Sequence, residues 1–185
     1  YSKLHRVIDF VDVDSEKWRE YSRRCSFPMN FVYRREAKQL FDPDRKIALE
    51  FDASLFVSKQ EAELFKNLVD SDSANIDYLN NGVDYHYFDP EIEFDSVYPQ
   101  DQKIIVFTGA MDYWANVDAV SWFAKEIFPR IKAHVPAAHF YIVGARPTDE
   151  VSKLNAEAVH VVGSVKDIRS YIATADCAVA PMRIA

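Results

Sequence analysis

Glycine is scarce in this chain, which has only four glycines among its 185 residues. Gly82, Gly109, Gly144 and Gly163 lie far apart in the sequence. A GxGxxG dinucleotide fingerprint and a P-loop each need at least two glycines within one short loop. The sequence therefore excludes both of these phosphate-binding loops.

Cysteine and long apolar runs are also lacking. Cys25 and Cys177 are the only cysteines, too few for a disulfide framework or a four-cysteine zinc site. Cys177 lies in an apolar segment, so we expect it to be a small core residue in a reducing, cytoplasmic setting. No apolar run approaches the roughly 18–20 residues that span a bilayer. Because the chain begins at Tyr1 without a signal-type apolar stretch, we expect it to be part of a longer protein.

The chain is acidic overall, with a net charge of −7. A general nucleic-acid binder should carry a basic domain, so no nucleic-acid partner is expected. The five histidines are scattered without the spacing of metal ligands, and no metal site is predicted.

One segment departs from this acidic balance, because Lys17–Lys46 holds nine basic and four acidic residues. Aromatic side chains alternate with arginines in its first part. This mixture is typical of a surface that rests on anionic lipid, and aromatic residues at such spacing are also typical of a core. Residues 17–46 therefore predict a peripheral membrane contact, with core packing as the alternative. The residues concerned are Trp18, Tyr21, Phe27, Phe31 and Tyr33, with Arg19, Arg23, Arg24, Arg34 and Arg35.

The second half alternates short apolar runs with helical stripes. The runs are nearly continuous, as in parallel strands that are covered on both faces. Apolar spacing from Val117 to Val135 predicts a helix that begins at the cap Asn116 and is kinked by Pro129. The order β-α-β-α-β-α-β predicts a doubly wound parallel sheet. The runs are Ile104–Phe107, Phe140–Val143, Val159–Val162 and Cys177–Ala180.

The first half is less regular but contains three strand candidates, Val7–Val13, Ala53–Val57 and Ile76–Leu79. Ser58, followed three residues later by Glu61, has the pattern of a capping box and predicts a helix over Lys59–Leu68.

Turn and breaker residues punctuate the rest of this half. Met29–Glu50 has helical spacing in part, and Pro43 should break or restart that helix. Asn80-Asn81-Gly82 predicts a tight turn. Residues 88–102 are acidic, carry two prolines and lack periodicity, so we expect an interdomain linker there.

Three of the four glycines follow predicted parallel strands, namely Gly109, Gly144 and Gly163. Ligands of open α/β sheets bind beyond the carboxyl ends of the strands, where a missing Cβ lets the backbone approach them. We therefore expect a ligand-facing rim at these glycines, although each of them also suits a tight turn. In a doubly wound sheet the binding crevice lies between the first and fourth strands. Arg183 follows the fourth run, on the wall of that crevice opposite Gly109, and its guanidinium could bind a phosphate.

Several short segments follow one another along the chain in a specific order. They are Val57-Ser58 with Glu61-Ala62; Asn81–Asp84 with Phe88 and Pro90; Phe107–Gly109; Ile142–Gly144; Val162-Gly163 with Val165 and Asp167; and Tyr171, Ala175-Asp176 and Pro181. In this order they resemble the middle of a family 4 GT-B glycosyltransferase. Two further segments resemble a narrower group, the bacterial sugar transferases associated with exosortase-linked exopolysaccharide systems. These segments are Asp12–Trp18 and Gly109–Tyr113 with Asn116–Val120.

The resemblance implies an α/β fold of the GT-B type, with two Rossmann-like doubly wound parallel-sheet domains, both incomplete in this chain. Residues 1–87 would be the end of the N-terminal, acceptor-side domain, residues 88–102 the linker, and residues 103–185 the first half of the donor-side domain. The implied activity is transfer of a sugar from a nucleotide diphosphate sugar to a saccharide or lipid-linked acceptor in exopolysaccharide synthesis. It would need no cofactor and no bound metal, and would take place in the cytoplasm or on the inner face of the cell membrane.

The resemblance also implies where the donor nucleotide binds. The loop after the first strand of the donor-side domain would lie near the diphosphate, and Gly163–Asp167 near the base. No catalytic residue is assigned. The candidate donor-binding residues are Gly109, Ala110, Gly144, Gly163, Ser164, Val165, Asp167 and Arg183.

Two features depart from the family pattern. Many members carry an arginine directly after the first-strand glycine and a lysine six residues after it, both on the diphosphate, whereas this chain has Ala110 and Ala115. The acidic motif of the family would lie beyond Ala185. We therefore expect the chain alone to be inactive.

Other functions remain open. Asp12 and Asp14 follow an apolar run, as in a metal-binding DxD pair or the nucleophile motif of an aspartate-dependent phosphatase, and such pairs are also common in solvated turns. A non-catalytic nucleotide-binding or interaction module could use the same parallel sheet.

Overall fold

The computed structural model describes residues 4–71 and 73–183. The chain divides into two compact units, Tyr1–Val83 and Asp84–Ala185. Each unit is built around its own parallel sheet. The boundary between the units therefore lies a few residues before the segment 88–102 that the sequence indicated as a linker.

The first unit has a three-stranded parallel sheet in the order β1-β2-β3. The strands are β1 (Val7–Val11), β2 (Ala53–Phe56) and β3 (Ile76–Tyr78), and the helices are α1 (Asp14–Arg24), α2 (Met29–Glu50) and α3 (Lys59–Val69). All three predicted strands are confirmed. Three aromatic rings form the centre of the core, with the ring centroids of Phe10, Phe56 and Phe65 at most 5.5 Å apart.

The helix α3 begins as the capping pattern predicts, because the Ser58 side chain accepts a hydrogen bond from the Glu61 backbone N–H at 3.1 Å. The Glu61 carboxylate does not complete the box. It accepts instead from the Val13 backbone N–H at 2.7 Å. One carboxylate thus fastens the start of α3 to the loop between β1 and α1.

The helix α2 continues through Pro43, so the prediction that this proline breaks or restarts it was wrong. A proline inside a helix leaves the carbonyl four residues earlier without its usual donor. That carbonyl belongs to Gln39, and both Gln39 and Pro43 are exposed. Water can therefore take the place of the missing N–H, and the helix persists.

The second unit has a four-stranded parallel sheet in the order β6-β5-β4-β7. Its first and fourth strands are neighbours, which is the order expected of a doubly wound sheet. All four predicted strands are confirmed, although β7 is short. The bounds are β4 (Lys103–Thr108), β5 (Ala138–Val143), β6 (Val159–Gly163) and β7 (Cys177–Ala178).

Between β4 and β5 the chain forms α4 (Trp114–Trp122), a π-helical segment (Phe123–Ile127) and α5 (Phe128–His134). Pro129 lies in the first turn of α5, so the predicted interruption takes the form of a π-helical turn just before it. The rings of Phe123 and Phe128 pack against Phe140 of β5. Two short helices complete the unit, α6 (Asp149–Ser152) and α7 (Arg169–Ala173).

Residues 88–102 are grouped with the second unit. Tyr98 is buried, and its hydroxyl donates to the Tyr171 carbonyl at 2.8 Å. Its ring also contacts that of Tyr141. This burial raises the pKa of the Tyr98 hydroxyl well above its ordinary value. A segment that supplies a buried tyrosine to the sheet is held by that unit, despite its irregular backbone.

Two local predictions were wrong. The backbone of Asn80–Gly82 forms no turn, and the turn lies instead at residues 85–88, where the Phe88 N–H donates to the Asp84 carbonyl. Cys177 is exposed rather than part of the core. It belongs to the last strand in the sheet order, and the described residues leave this strand open to solvent.

Candidate functional site

A cavity of about 440 Å³ lies at the carboxyl ends of β4, β5 and β6, where the sequence indicated a ligand-facing rim. Four of the candidate donor-binding residues line it together, namely Gly109, Gly144, Ser164 and Val165. Its remaining lining residues are Thr108, Val143, Ala145 and Ile168. Among the residues that the structure describes, no side chain lining this cavity is charged.

Backbone hydrogen bonds join the three strand ends beneath this cavity. The Gly109 N–H donates to the Val143 carbonyl at 3.2 Å, and the Gly144 N–H donates to the Gly163 carbonyl at 2.9 Å. A Cβ on Gly144 would lie 1.6 Å from the carbonyl oxygen of Gly109. Glycine at 144 is therefore required by the contact between two backbone loops, whether or not a ligand is bound.

Gly109 has a different neighbour, the side chain of Asn116. A Cβ at 109 would lie 2.8 Å from the Asn116 amide nitrogen, which donates to the Ala110 carbonyl at 3.0 Å. The prediction that Asn116 caps the helix was wrong, because α4 begins at Trp114 and Tyr113 takes the cap position. The amide instead supports the Gly109-Ala110 loop from below, a role that helix-start patterns do not reveal.

Gly163 is required by its backbone conformation. Its φ is +80°, which side chains other than glycine rarely adopt, and a Cβ there would meet no atom within 4 Å. The next residue in the same loop, Ser164, is exposed to solvent. This combination of positive φ and free space lets the chain turn sharply into the cavity wall.

Asp167 does not line the cavity. Its carboxylate forms a two-atom ion pair with the Arg169 guanidinium and accepts from the Arg169 backbone N–H at 2.9 Å. These hydrogen bonds hold the pKa of Asp167 below its usual value. Arg169 in turn lies over the Tyr87 ring, 3.8 Å from its centroid. The Asp167 charge is thus engaged in holding α7 and the preceding segment together.

Arg183 also lies outside the cavity. Its guanidinium forms a two-atom ion pair with Asp118 in α4 and lies 5.3 Å from the ring centroid of Trp122. The hydrogen bonds to Asp118 raise the pKa of Arg183. In this arrangement the Asp118 carboxylate takes the Nε and Nη2 donors of the guanidinium.

The two alanines that replace the basic residues of the family pattern are placed differently. Ala110 is half-buried in the loop after β4, whereas Ala115 is buried in α4 with 2% exposure. The nearest basic residue along the neighbouring loop is Arg146, and its guanidinium is paired with Asp112. The cavity therefore presents backbone groups and small neutral side chains to a ligand.

The acidic pair at the end of β1 contacts a lysine. The Lys17 amine lies 2.7 Å from an Asp12 oxygen and 3.2 Å from an Asp14 oxygen. Partial burial lowers the pKa of Lys17, but the hydrogen bonds to Asp12 and Asp14 outweigh it and leave the pKa above its ordinary value. Within residues 4–71 and 73–183, no group of three or more His, Cys, Asp or Glu side chains could hold a metal ion.

The aromatic residues of the segment 17–46 divide into two groups. Trp18, Tyr21 and Tyr33 pack against one another with ring centroids 5.4–6.0 Å apart. These three side chains are half-buried, so they pack between α1 and α2 rather than inside a fully buried core. Phe27 and Phe31 are exposed, at 82% and 66%. In the described part of the chain, no helix is both long enough and apolar enough to cross a membrane.

Residues 102–185 match the family model described as "Glycosyl transferases group 1". No curated protein sequence matches the chain. The solved structures that share its fold include TarM, over 76% of this chain, and sucrose-phosphate synthase from Thermosynechococcus elongatus, over 78%, each at 16% identity and a TM-score of 0.54. The matched part of this chain is longer than either unit alone, so it includes residues of both units.

These likenesses confirm the predicted fold class, an α/β fold with parallel sheets that matches GT-B glycosyltransferase structures. The fold is present in part, because the chain spans 27% of the length of TarM and 38% of that of the synthase.

Proposed function

We propose, from the glycosyltransferase match of residues 102–185, that this protein acts in glycosyl transfer and that its second unit binds the nucleotide diphosphate sugar. The cavity at the ends of β4, β5 and β6 is the observation that carries the proposal. It lies where open α/β sheets bind ligands, and it has the size of a small-molecule site.

The neutral lining suits a donor that is held mainly by backbone groups. Phosphate oxygens accept hydrogen bonds from backbone N–H groups at the start of a helix, and α4 begins five residues after Gly109. The base would lie against the Gly163–Val165 loop, whose outer side is open. Asp167 and Arg183, each in an ion pair, have positioning roles in this proposal rather than direct ligand contacts.

A matched pair of serine substitutions tests the donor site. Ser164 and Ser152 are both exposed serines of the second unit, and only Ser164 lines the cavity. We expect Ser164→Phe to weaken binding of UDP or GDP at least about tenfold, a loss of roughly 1.4 kcal/mol, while Ser152→Phe leaves it unchanged. Calorimetric titration of each variant measures the affinity. Equal affinities for the two variants would place the nucleotide elsewhere.

The proposal extends to a saccharide or lipid-linked acceptor in exopolysaccharide synthesis and to metal-independent turnover in the cytoplasm. The sequence resemblance supports the acceptor class. Assays of the full-length protein with several nucleotide sugars, with and without a chelator, test the metal requirement. Loss of turnover on chelation that manganese or magnesium restores would refute it, and Asp12 and Asp14 would be the first residues to substitute.

We also propose a peripheral membrane contact at the connection between α1 and α2. The exposed Phe27 and Phe31 support it, together with the basic residues of the segment 17–46. Sedimentation with anionic vesicles should weaken with salt, since charges are screened over about 8 Å at physiological ionic strength. Phe27→Ser with Phe31→Ser should abolish it. Unchanged sedimentation of this variant would refute the contact.

A second candidate function is a non-catalytic nucleotide-binding or interaction module. The uncharged lining of the cavity favours it, because Ala110 and Ala115 stand where the family pattern has basic residues. Nucleotide binding by the full-length protein without turnover of any nucleotide sugar would support this function over the first.

A further inference from the structure

A second cavity, of about 420 Å³, lies between α1 and α2 in the first unit. Its described lining includes the basic residues Arg19 and Arg23 from α1, and Arg34 and Lys38 from α2. None of the described lining residues is acidic. The chain as a whole has a net charge of −7, so this concentration of positive charge is not a consequence of a basic protein.

The spacing of residues on the two helices creates this cavity. Ser22 and Ala37 also line it and are buried at 4% and 5% exposure, whereas the basic residues are exposed. Residues three and four positions apart share one helix face. Each helix therefore places a small residue against the other helix, and it carries one basic residue before and one after that small residue. The small residues leave room between the helices, and the basic side chains surround the opening.

Ion pairs with acidic side chains are few at this cavity. The Arg19 guanidinium lies 2.6 Å from a Glu16 oxygen. Among the side chains that the structure describes, none forms an ion pair with Arg23, Arg34 or Lys38. Like charges four residues apart on a helix are also destabilising, and Arg19 with Arg23 and Arg34 with Lys38 have this spacing. An anion in the cavity would relieve both repulsions.

We propose that this cavity binds a phosphate group, independently of the nucleotide site in the second unit. A guanidinium forms two parallel hydrogen bonds to phosphate oxygens, and an ammonium adds a point charge. The cavity is larger than a phosphate alone, and the half-buried Phe41 lines it as well. The expected ligand is therefore a phosphate or diphosphate group on a larger molecule, either a soluble metabolite or a lipid headgroup.

The test compares two double variants that remove the same charge. Arg34→Gln with Lys38→Gln changes the cavity, and Arg35→Gln with Lys46→Gln changes exposed basic residues of α2 that do not line it. We expect the cavity variant to lose at least about tenfold in affinity for inorganic pyrophosphate, and the control variant to bind like the unaltered chain. Ser164→Phe should keep its pyrophosphate affinity, which separates this site from the nucleotide site.

Vesicles distinguish the two sources of the phosphate group. Phosphatidic acid exposes a phosphate monoester, whereas phosphatidylserine vesicles of equal net charge do not. If the ligand is a lipid headgroup, phosphatidic acid vesicles should be preferred, and only the cavity variant should lose the preference. If the ligand is soluble, the protein should bind pyrophosphate and show no preference for phosphatidic acid vesicles over phosphatidylserine vesicles. The proposal is overturned if neither probe binds, or if both double variants weaken binding equally while melting like the unaltered chain.

Discussion

The carbonyl oxygen of Gly109 occupies the space that a side chain on Gly144 would need, with only 1.6 Å between that oxygen and a Cβ at 144. The loops after β4 and β5 therefore touch through their backbones. A glycine at a strand end can reflect this contact rather than a ligand, and the two explanations predict different results on substitution.

Gly144→Ala should lower the free energy of unfolding by about 2–3 kcal/mol, because a backbone carbonyl cannot move aside as a side chain can. Gly82→Ala is the control, since its added Cβ meets no atom within 4 Å and its φ is not positive. It should be neutral or slightly stabilising, by up to about 1 kcal/mol. Urea unfolding measures both variants. Equal stability of the two would show that the loops yield to a methyl group.

Much of the fold was predictable from the sequence because strand and helix periodicities are local. The four runs of the second unit and the capping serine of α3 followed directly from residue type and spacing. Asn116 was not predictable, because its amide acts on a loop carbonyl six residues earlier. The charge of Arg183 indicated a phosphate contact, but its partner Asp118 is distant in the sequence, and the ion pair becomes visible only in the fold. Asp167 was indicated by the family resemblance, and its partner Arg169 lies only two residues further along the chain.

A pair of histidines on neighbouring strands should make stability depend on pH. The His139 Nδ1 and His160 Nε2 atoms lie 2.9 Å apart, so one nitrogen must donate and the other accept. Burial lowers the pKa of both histidines, and Lys132 lowers both further, against weaker opposing effects of Asp101 and Glu157 on His139. The unfolded chain therefore binds protons more readily, and stability should fall as the pH drops below about 6.5.

The measurement is the urea midpoint at about pH 8 and about pH 5, on either side of the ordinary histidine pKa. His160→Gln should reduce the difference between the two midpoints. His134→Gln should not, because His134 is exposed and its Nδ1 contacts the Arg130 carbonyl of its own helix. An unchanged difference in His160→Gln would assign the pH dependence to other groups.

Removal of the α3 cap should destabilise the first unit. In Ser58→Ala the Glu61 N–H loses its acceptor, and loss of such a cap costs about 1 kcal/mol, within a range of 0.5–2. Ser58→Asp should retain most of the stability because aspartate caps helices equally well. Chemical denaturation of the three proteins provides the comparison, and an alanine variant as stable as wild type would contradict a capping role.

Pro43 is a site where substitution should stabilise the protein. Pro43→Ala restores the hydrogen bond to the Gln39 carbonyl in the middle of α2, and we expect a gain of about 1–3 kcal/mol. Pro136→Ala should bring no comparable gain, because Pro136 lies in the loop after α5 and interrupts no helix. Thermal melts of the two variants decide this, and similar shifts would contradict the distinction.

The π-helical turn before Pro129 has a consequence for how the chain tolerates changes in length. The Phe128 N–H bonds to the Phe123 carbonyl five residues earlier, one residue further back than in an α-helix. The segment Phe123–Ile127 therefore contains one residue more than a regular helix would use over the same path. Deleting Lys125 would let the turn become α-helical with Phe123 and Phe128 still directed at Phe140. The same deletion within α4 would rotate every residue after it away from the sheet.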